Sequence, residues 1–311
     1  LRRFVDFEES VQPDHGGVDI GAMSGESTGI RPFDMPVKGT DLFGYIYTSG
    51  TTGLPKASKI LNARAMLAAN GFGGLVLGLG PWDTVYICLP LFHSNGLLIG
   101  ASSALLSGAT VALSRKFSAQ RFWGEVTASG ATVFVYIGEV CRYLVAQPPG
   151  ADDRTHKLRA ITGNGLRPEV WEVFVSRFRP GIVREFYGAT EGNLLIVNMR
   201  GKVGSVGKMP PVAKLDNALL VEFDHEAEAP LRDADGRCVP CRDGEVGELL
   251  GRINSKIVTQ RFDGYADASA TGGKILTGVL REGDMYFRTG DLLRRDRQGY
   301  YYFVDRIGDT F

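Results

Sequence analysis

Residues 47–56, which read YTSGTTGLPK, follow directly on an apolar run that is typical of a β-strand. Gly50 and Gly53 allow the backbone to turn tightly, and Lys56 places a positive charge at the end of the stretch. The hydroxyl donors between them are Ser49, Thr51 and Thr52. Convergent donors beside a positive charge are suited to holding a phosphate chain. We therefore interpret this stretch as a phosphate-binding loop that follows a strand.

This loop differs from the Walker loop of P-loop proteins. A Walker loop ends in Gly-Lys followed by Ser or Thr, whereas Lys56 lies between Pro55 and Ala57. The alternative interpretation is an ordinary surface loop rich in Gly and Thr. The length and the residue order of the ten-residue string favour the binding loop.

The composition limits the classes of ligand. At 311 residues with 44% hydrophobic content, the chain can bury a large core. Lys+Arg and Asp+Glu both number 35, so no overall field draws the protein to nucleic acid, and we expect no nucleic-acid partner. Four cysteines are too few for a secreted disulfide scaffold and fit a reducing, intracellular compartment.

One uncharged run, residues 96–113, is long enough to raise the question of a membrane span. The small and polar residues within it favour a buried helix, a stop at Gly108 and a strand from Ala109. Residues 1–44 lack the basic and apolar blocks of a signal peptide.

The pattern along the chain predicts two parts after a weakly patterned segment at 1–40. Between 41 and 200, predicted strands at 42–47, 84–89, 132–137, 158–161 and 182–187 alternate with predicted helices at 119–128, 139–147 and 168–178. This alternation predicts an α/β fold with a mostly parallel sheet and helices on both faces. Between 201 and 304, predicted strands at 218–224, 247–253, 285–293 and 300–305 indicate a smaller antiparallel, barrel-like subdomain.

Five further strings follow the phosphate-binding loop in a fixed order: LPLFH at 89–93, GNGL at 163–166, FYGATEG at 186–192, YFRTGD at 286–291 and DRIGD at 305–309. Together with residues 47–56 they resemble the adenylate-forming superfamily, which includes acyl-CoA synthetases, luciferases and peptide-synthetase adenylation domains. Longer matches at 115–119, 121–123, 136–139, 141–144 and 308–311 resemble one branch. That branch comprises the fatty acid transport proteins and their bacterial very-long-chain acyl-CoA synthetase relatives.

The resemblance implies roles for individual residues. The implied catalytic residues are Lys56, Thr190 and Glu191, with Glu191 as the Mg²⁺ ligand. The implied nucleotide-binding residues are Thr48, Ser49, Gly50, Thr51, Thr52, Gly53, Gly163, Asn164, Gly165, Tyr187, Gly188, Asp291 and Arg306. In this assignment Tyr187 stacks on adenine, Thr190 meets phosphate and Asp291 holds the ribose hydroxyls. The implied acyl-site residues are His93, Tyr136, Ile137 and Gly138, and Asp309, within 305–311, is the implied hinge.

These roles fit the chemistry of adenylation. A carboxylate attacks the α-phosphorus of ATP in line, so catalysis consists of positioning and of neutralising phosphate charge, and needs no side-chain nucleophile. A carboxylate just past a strand end is a plausible hard ligand for Mg²⁺. Taken alone, Glu191 would be a solvated loop residue, Asp291 a turn cap, Tyr187 a core aromatic and His93 a structural histidine. The surrounding strings favour the functional interpretation.

The expected activity is ATP- and CoA-dependent ligation of long or very long fatty acids through acyl-AMP, with uptake coupled by trapping the thioester. Two alternatives stay open: a transport or binding protein with a vestigial nucleotide site, and an adenylating ligase for another acid, such as a bile acid. An amino-acid substrate would require an acidic pocket residue, whereas residues 135–138 are apolar or aromatic. The polar residues that favour a working site are Lys56, Thr190, Glu191, Asp291 and Arg306.

Members of this superfamily run to about double the present length, with a C-terminal domain that carries a catalytic lysine. We therefore expect the 311-residue chain alone to be inactive. We expect an intracellular protein that is either cytoplasmic or peripherally or integrally associated with a membrane, and any membrane association would rest on an N-terminal part. Cys238 and Cys241 have the spacing of a zinc or redox pair, but no second pair completes a site, which favours a turn.

Overall fold

The computed structural model describes residues 4–5, 36–48, 55–209 and 217–307. In chain order the strands are β1 (Phe4–Val5), β2 (Leu42–Thr48), β3 (Lys56–Leu61), β4 (Thr84–Ile87), β5 (Thr110–Leu113), β6 (Val133–Ile137), β7 (Ala160–Asn164), β8 (Ile182–Tyr187), β9 (Ile196–Val197), β10 (Ala218–Asp224), β11 (Ala229–Pro230), β12 (Val246–Arg252), β13 (Ile275–Thr277), β14 (Met285–Arg295) and β15 (Tyr301–Arg306).

The helices lie mostly between the strands of the first half. The α-helices are α1 (Asn62–Asn70), α2 (Ser103–Leu106), α3 (Phe122–Ala128), α4 (Gly138–Val145), α5 (Pro168–Phe178) and α6 (Ala268–Gly272). Two π-helical segments, Gly71–Val76 and Asn95–Ser102, continue α1 and precede α2, and short 3₁₀ turns occupy Ala151–Arg154 and Val258–Gln260.

The first part is a seven-stranded sheet in the order β1-β5-β4-β6-β7-β8-β9. Every neighbouring pair from β1 to β8 is parallel, and only the β8–β9 pair is antiparallel. Because adjacent parallel strands end at the same edge, the carboxyl ends of β6, β7 and β8 lie side by side. Such an edge is where ligands of α/β proteins bind. The predicted α/β fold with a mostly parallel sheet is confirmed.

One predicted strand does not join this sheet. The strand at 42–47 is present as β2, but it pairs with β3 in a separate antiparallel hairpin, with Thr48 opposite Lys56. The placement expected for it in the parallel series was therefore wrong. The physical reason is the short connection at 49–55, because a parallel pair needs a crossover of a dozen or more residues.

The second part is a curled antiparallel sheet in the order β11-β10-β12-β14-β13, and β15 pairs with the second half of β14, on the same edge as β13. The register shifts between Glu248 and Leu250 and again between Leu292 and Leu293, as at β-bulges. Bulges bend the strands of such a sheet. The predicted barrel-like antiparallel subdomain is confirmed.

The uncharged run at 96–113 has the predicted helix, stop and strand. The π-helical segment and α2 end where Gly108 takes a φ of +70°, a left-handed conformation that favours glycine. Ala109 N then donates to Ala104 O at 2.8 Å, and β5 follows. Across the described ranges, no helix has both the length and the apolar character that a membrane crossing requires.

Two main cores hold the structure together. The larger core lies on the parallel sheet and includes the fully buried rings of Tyr86, Phe122, Phe134, Phe174 and Phe178. The second joins β9 to the curled sheet through Leu194, Ile196, Leu249, Leu293 and Tyr301. The predicted domain boundaries at residues 40, 200 and 304 stay a prediction, and the second core contains residues from both sides of residue 200.

Candidate functional site

The floor of the site is formed where β6, β7 and β8 end. Gly163 is the register neighbour of both Tyr136 and Glu185. A Cβ at Gly163 would overlap the carbonyl and the ring of Tyr136. The absence of a side chain therefore leaves room for the Tyr136 hydroxyl to donate to the Glu185 carboxylate. Gly163, which the resemblance places among the nucleotide-binding residues, is required by the packing at the end of β7.

Glu185 is a buried carboxyl that the sequence interpretation missed. Its Oε1 accepts the Leu166 N–H at 2.9 Å, so it holds the loop that follows β7. Burial raises the pKa of Glu185 to about 8, even though the hydrogen bonds from Tyr136 and from the loop lower the pKa. A carboxylate inside the predicted strand 182–187 was the available signal.

A backbone contact fixes the same loop from the other side. Gly138, the first residue of α4, packs so closely on Gly165 that a Cβ at residue 138 would overlap the Gly165 carbonyl. Asn164, which precedes Gly165, accepts a hydrogen bond at 2.7 Å from the amide of Asn95. The predicted residues Gly163, Asn164, Gly165 and Gly138 are thus brought together.

The loop after β8 carries two of the predicted catalytic residues. The Thr190 hydroxyl is hydrogen-bonded to that of Ser94 at 3.2 Å. Glu191 is partly exposed, and its Oε1 accepts the Tyr265 hydroxyl at 2.8 Å. Gly188 is exposed at the start of the loop. Both functional side chains are therefore held by contacts with other segments.

Arg64, on α1, is a second residue that the sequence interpretation missed. Its guanidinium donates to the carbonyl oxygens of Ala189 at 3.5 Å, Glu191 at 3.3 Å and Gly192. Burial lowers the pKa of Arg64, whereas the carboxylates of Asp263 and Glu191 act in the opposite direction. One planar fork thus ties the backbone of the Glu191 loop to the helix that follows β3.

Lys56 lies at the start of β3, opposite Thr48. The Thr48 hydroxyl donates to the Lys56 carbonyl at 3.4 Å, and Lys56 Nζ lies 5.9 Å from the centroid of the Tyr265 ring. Because the Tyr265 hydroxyl also contacts Glu191, the lysine and the carboxylate share one aromatic neighbour. The remaining loop residues, Ser49, Gly50, Thr51, Thr52 and Gly53, and the hinge residue Asp309 lie outside the described residues.

Asp291 on β14 joins the two parts of the chain. Its Oδ2 accepts the Tyr187 hydroxyl at 2.6 Å, and its Oδ1 accepts Arg306 Nε at 2.9 Å. Only 3% of the residue is exposed. Burial, followed by the Asp291 charge, raises the pKa of Tyr187 well above its usual value. Three of the predicted nucleotide residues, from β8, β14 and β15, therefore form one cluster.

Lys274 is a further cation at this cluster that no sequence motif indicated. Its Nζ donates to the Thr289 carbonyl at 3.3 Å. Burial lowers the pKa of Lys274, opposed by the carboxylates of Glu191, Asp291 and Glu248. Lys274 thus lies within electrostatic range of both predicted functional carboxylates.

The predicted acyl-site residues differ in accessibility. Ile137 is 38% exposed at the end of β6, and His93 is exposed in a turn, with its ring 4.5 Å from that of Phe92. Tyr136 is fully buried with its hydroxyl on Glu185. Direct contact of these residues with an acyl chain stays a prediction.

The carboxylates of the site limit how it could hold a cation. Across the described ranges, no three His, Cys, Asp or Glu side chains form a group that could hold a metal ion. Mg²⁺ is commonly held by one or two carboxylates together with substrate phosphates. Glu191 fits that mode, because Oε1 takes the described hydrogen bond and Oε2 takes none among the described residues. Cys238 and Cys241 are free thiols in the second part.

A family model described as AMP-binding enzyme matches residues 5–260, which is most of the chain. The chain belongs to the AMP-binding enzyme family. It is 48% identical over 276 residues to the medium/long-chain-fatty-acid–CoA ligase FadD6 of Mycobacterium tuberculosis, which covers 88% of this chain and 45% of that protein. It is also 48% identical over 283 residues to human long-chain fatty acid transport protein 1, which covers 89% of this chain and 43% of that protein.

Solved structures show the same fold. An anthranilate CoA ligase, AuaEII, in complex with anthranoyl-AMP superposes with a TM-score of 0.70 and 20% identity, over 97% of this AMP-binding chain and 54% of that one. The predicted resemblance to adenylate-forming enzymes and to the fatty acid transport protein branch is confirmed by these similarities. The chain spans less than half the length of the two curated relatives.

Proposed function

We propose that the complete protein activates fatty acids with ATP to acyl-AMP and transfers the acyl group to CoA. The carboxylate oxygen attacks the α-phosphorus and pyrophosphate leaves; the thiolate of CoA then attacks the acyl carbon and AMP leaves. The observation that carries this proposal is the cluster of Asp291, Tyr187 and Arg306, three polar side chains that meet where the parallel sheet packs against the curled one and that we propose bind the nucleotide. Relatives named as fatty-acid–CoA ligase and fatty acid transport protein support the substrate class.

The ribose contact follows from the acceptors of Asp291. An ionised carboxylate offers about four lone-pair positions. Tyr187 and Arg306 take one each, on different oxygens. The remaining positions match the two hydroxyl donors of a ribose, and the two protein contacts keep the carboxylate from rotating. Asp291 would thus recognise the sugar as a preorganised acceptor.

The phosphate contacts would come from β3 and from the loop after β8. Lys56 supplies a positive charge, Thr190 a hydroxyl and Glu191 a carboxylate oxygen for Mg²⁺. When bound, Mg²⁺ would neutralise phosphate charge as it develops during attack. Arg64 holds the backbone of the loop that presents Thr190 and Glu191, so these groups need little reorganisation during the reaction.

The acyl chain is the least constrained part of the proposal. Exposed Ile137 at the end of β6 gives the sheet edge an apolar side chain next to Asn164 at the end of β7. An apolar wall suits a hydrocarbon chain and gives no partner to an ammonium group. Chain-length preference, membrane association and any uptake coupled to thioester formation belong to the complete protein.

Pyrophosphate release is the direct test. The complete protein would be assayed with ATP, Mg²⁺ and fatty acids of increasing length, with a bile acid and amino acids as comparison substrates. Release with fatty acids, followed by thioester on addition of CoA, is the expected result. Release with the bile acid alone would favour the alternative ligase. Fatty acid binding without pyrophosphate from any acid would favour a binding protein with a vestigial nucleotide site.

A further inference from the structure

Tyr265 lies between the two charged residues that the proposed function places on the phosphates. Its hydroxyl donates to Glu191 Oε1 at 2.8 Å, and its ring centroid is 5.9 Å from Lys56 Nζ. Only 3% of the residue is exposed. Tyr265 therefore contacts both groups while having almost no surface of its own for a ligand.

The backbone of Tyr265 is fixed to the strand that carries Lys56. Ala266 N donates to Ala57 O at 2.8 Å, and Lys59 N donates to Gly264 O at 3.0 Å. The Tyr265 N–H donates to Thr271 Oγ1 at 2.9 Å. With its backbone tied on both sides and its ring buried, the phenol has little freedom, so the hydroxyl defines a fixed point against β3.

We propose that Tyr265 is a positioning residue: it holds the Glu191 carboxylate by Oε1, at a set separation from Lys56, and leaves Oε2 for a phosphate-bound cation. This inference rests on the proposed function. A neutral donor on one oxygen orients a ligating carboxylate without cancelling its charge, as outer-shell partners of metal ligands commonly do. Arg64 holds the backbone of the same loop, whereas Tyr265 contacts the carboxylate itself.

The same contact relates the two halves of the phosphate site. Lys56 is on the hairpin and Glu191 is on the loop after β8 of the parallel sheet. Through Tyr265, a displacement of β3 would change the position of the carboxylate as well as that of the lysine. The geometry thus points to one unit rather than two independent charges.

The test is Tyr265→Phe in the complete protein, which removes the hydroxyl and keeps the ring. We expect the Mg²⁺ concentration for half-maximal acyl-AMP formation to rise about ten- to a hundredfold, with most of kcat restored at saturating Mg²⁺. We also expect Mn²⁺ binding with a non-hydrolysable ATP analogue, followed by electron paramagnetic resonance, to weaken by the same factor. Affinity for AMP without metal should not change.

Tyr86→Phe is the matched control, because it removes a buried tyrosine hydroxyl that donates to Glu125 at 2.6 Å beneath the parallel sheet. It should leave both metal readouts at the wild-type values. Wild-type metal readouts in Tyr265→Phe, even with a lowered thermal midpoint, would overturn the positioning role. Glu191→Gln distinguishes the positioning role of Tyr265 from the metal site itself. If Glu191→Gln weakens Mn²⁺ binding and Tyr265→Phe does not, only the role of Tyr265 is contradicted. If neither Glu191→Gln nor Tyr265→Phe weakens Mn²⁺ binding, the metal site is contradicted as well.

Discussion

Glu191 and Asp291 are both carboxylates of the proposed nucleotide site, but the protein holds them differently. Glu191 is partly exposed and is held through one oxygen, by Tyr265. Asp291 is buried and is held through both oxygens, by Tyr187 and Arg306. The first arrangement leaves charge for a cation during the reaction, and the second offers fixed acceptors to a bound ligand. Substitutions of the two residues should therefore have different kinetic effects.

Glu191→Gln is expected to lower kcat for acyl-AMP formation about a hundredfold or more, because it removes a charge that counts most in the transition state. A preorganised electrostatic group of this kind contributes about 3 kcal/mol. Pyrophosphate exchange in the complete protein measures the effect. Glu172→Gln, at an exposed carboxylate on α5, is the control and should behave as wild type. Unchanged acyl-AMP formation in Glu191→Gln would contradict the assignment.

Asp291→Ala is expected to raise the KM for ATP about ten- to a hundredfold with a smaller effect on kcat. Ribose contacts persist from ground state to transition state, and hydrogen bonds to charged groups contribute about 1.5–3 kcal/mol. Asp243→Ala removes an exposed aspartate that pairs with Arg295 at 2.9 Å and serves as the control. A normal KM with a collapsed kcat would make Asp291 a catalytic group instead.

The sequence predicted the residues of this site better than their partners. Glu191 and Asp291 stand inside strings whose residue order is informative. Tyr265 is 74 residues from Glu191, and Tyr187 is 104 residues from Asp291, so these contacts exist only after distant segments of the chain have packed together. The role of Arg64 could not be predicted from a motif either, because Arg64 donates to backbone carbonyl oxygens, which every residue has.

At the scale of elements, close packing between chain segments decides which substitutions the site tolerates. Gly138 begins α4 against the carbonyl of Gly165, whereas Gly124 lies in the exposed face of α3 with no atom near its missing Cβ. The two glycines are therefore a matched pair with opposite expectations.

Gly138→Ala should lower stability by about 3 kcal/mol or more, because the overlap is with backbone and neither segment can shift without losing hydrogen bonds. Gly124→Ala should raise stability by about 0.5–1 kcal/mol, because glycine is unfavourable inside a helix. Thermal unfolding of both variants against wild type provides the measurement. A tolerated alanine at residue 138 would show that the α4 contact with the loop is looser than described.

Glu185 should make stability depend on pH. The unfolded chain releases this proton near the ordinary pKa of 4.5, whereas the folded chain keeps it until about 8. The group therefore destabilises the fold progressively as pH rises through that window, and the effect levels off above it. The free energy of unfolding of wild type relative to Glu185→Gln should fall by roughly 2–4 kcal/mol between about pH 5 and pH 8. If urea unfolding gave the same difference in the free energy of unfolding between wild type and Glu185→Gln at every pH, this prediction would be refuted.

Elements were predicted well where local signals agreed. The helix at 168–178 has its predicted bounds, because Pro168 stands at its first position and Arg179 ends it in a left-handed conformation. The helix predicted at 119–128 begins only at Phe122, after a turn in which Ser118 Oγ accepts the Arg121 N–H at 3.4 Å. The pairing of β2 was missed, because an apolar run does not specify its neighbour in a sheet.

At the scale of the whole molecule, the parallel sheet and the curled sheet meet at the proposed nucleotide site. The larger core lies on the first, and the core that includes Leu249, Leu293 and Tyr301 joins β9 of the first sheet to the second. The hydrogen bond from the Tyr187 hydroxyl to Asp291 joins the two sheets. Nucleotide binding should therefore require both sheets. Thioester synthesis should require further parts of the protein besides these two sheets.

The 311-residue chain expressed alone is expected to bind adenine nucleotide weakly and to make no acyl-CoA, since it covers less than half the length of its relatives. An open site would leave phosphate contacts screened by water and acyl-AMP prone to hydrolysis. Calorimetry with ATP measures nucleotide binding, and an assay with palmitate, ATP, Mg²⁺ and CoA measures thioester formation. Both are carried out on the 311-residue chain and on the complete protein. Robust thioester formation would show that this chain holds the whole catalytic apparatus.

The second core also bears on how such chains can be recombined. Leu194 and Ile196 precede residue 200 in sequence yet pack with Leu249 and Leu293. A hybrid protein joined at residue 200 would bring an apolar surface from one parent against a non-matching one from the other. Crossovers that keep residues 194–301 from a single parent would preserve this contact, so exchange of substrate preference between relatives is better attempted in the segments before Leu194.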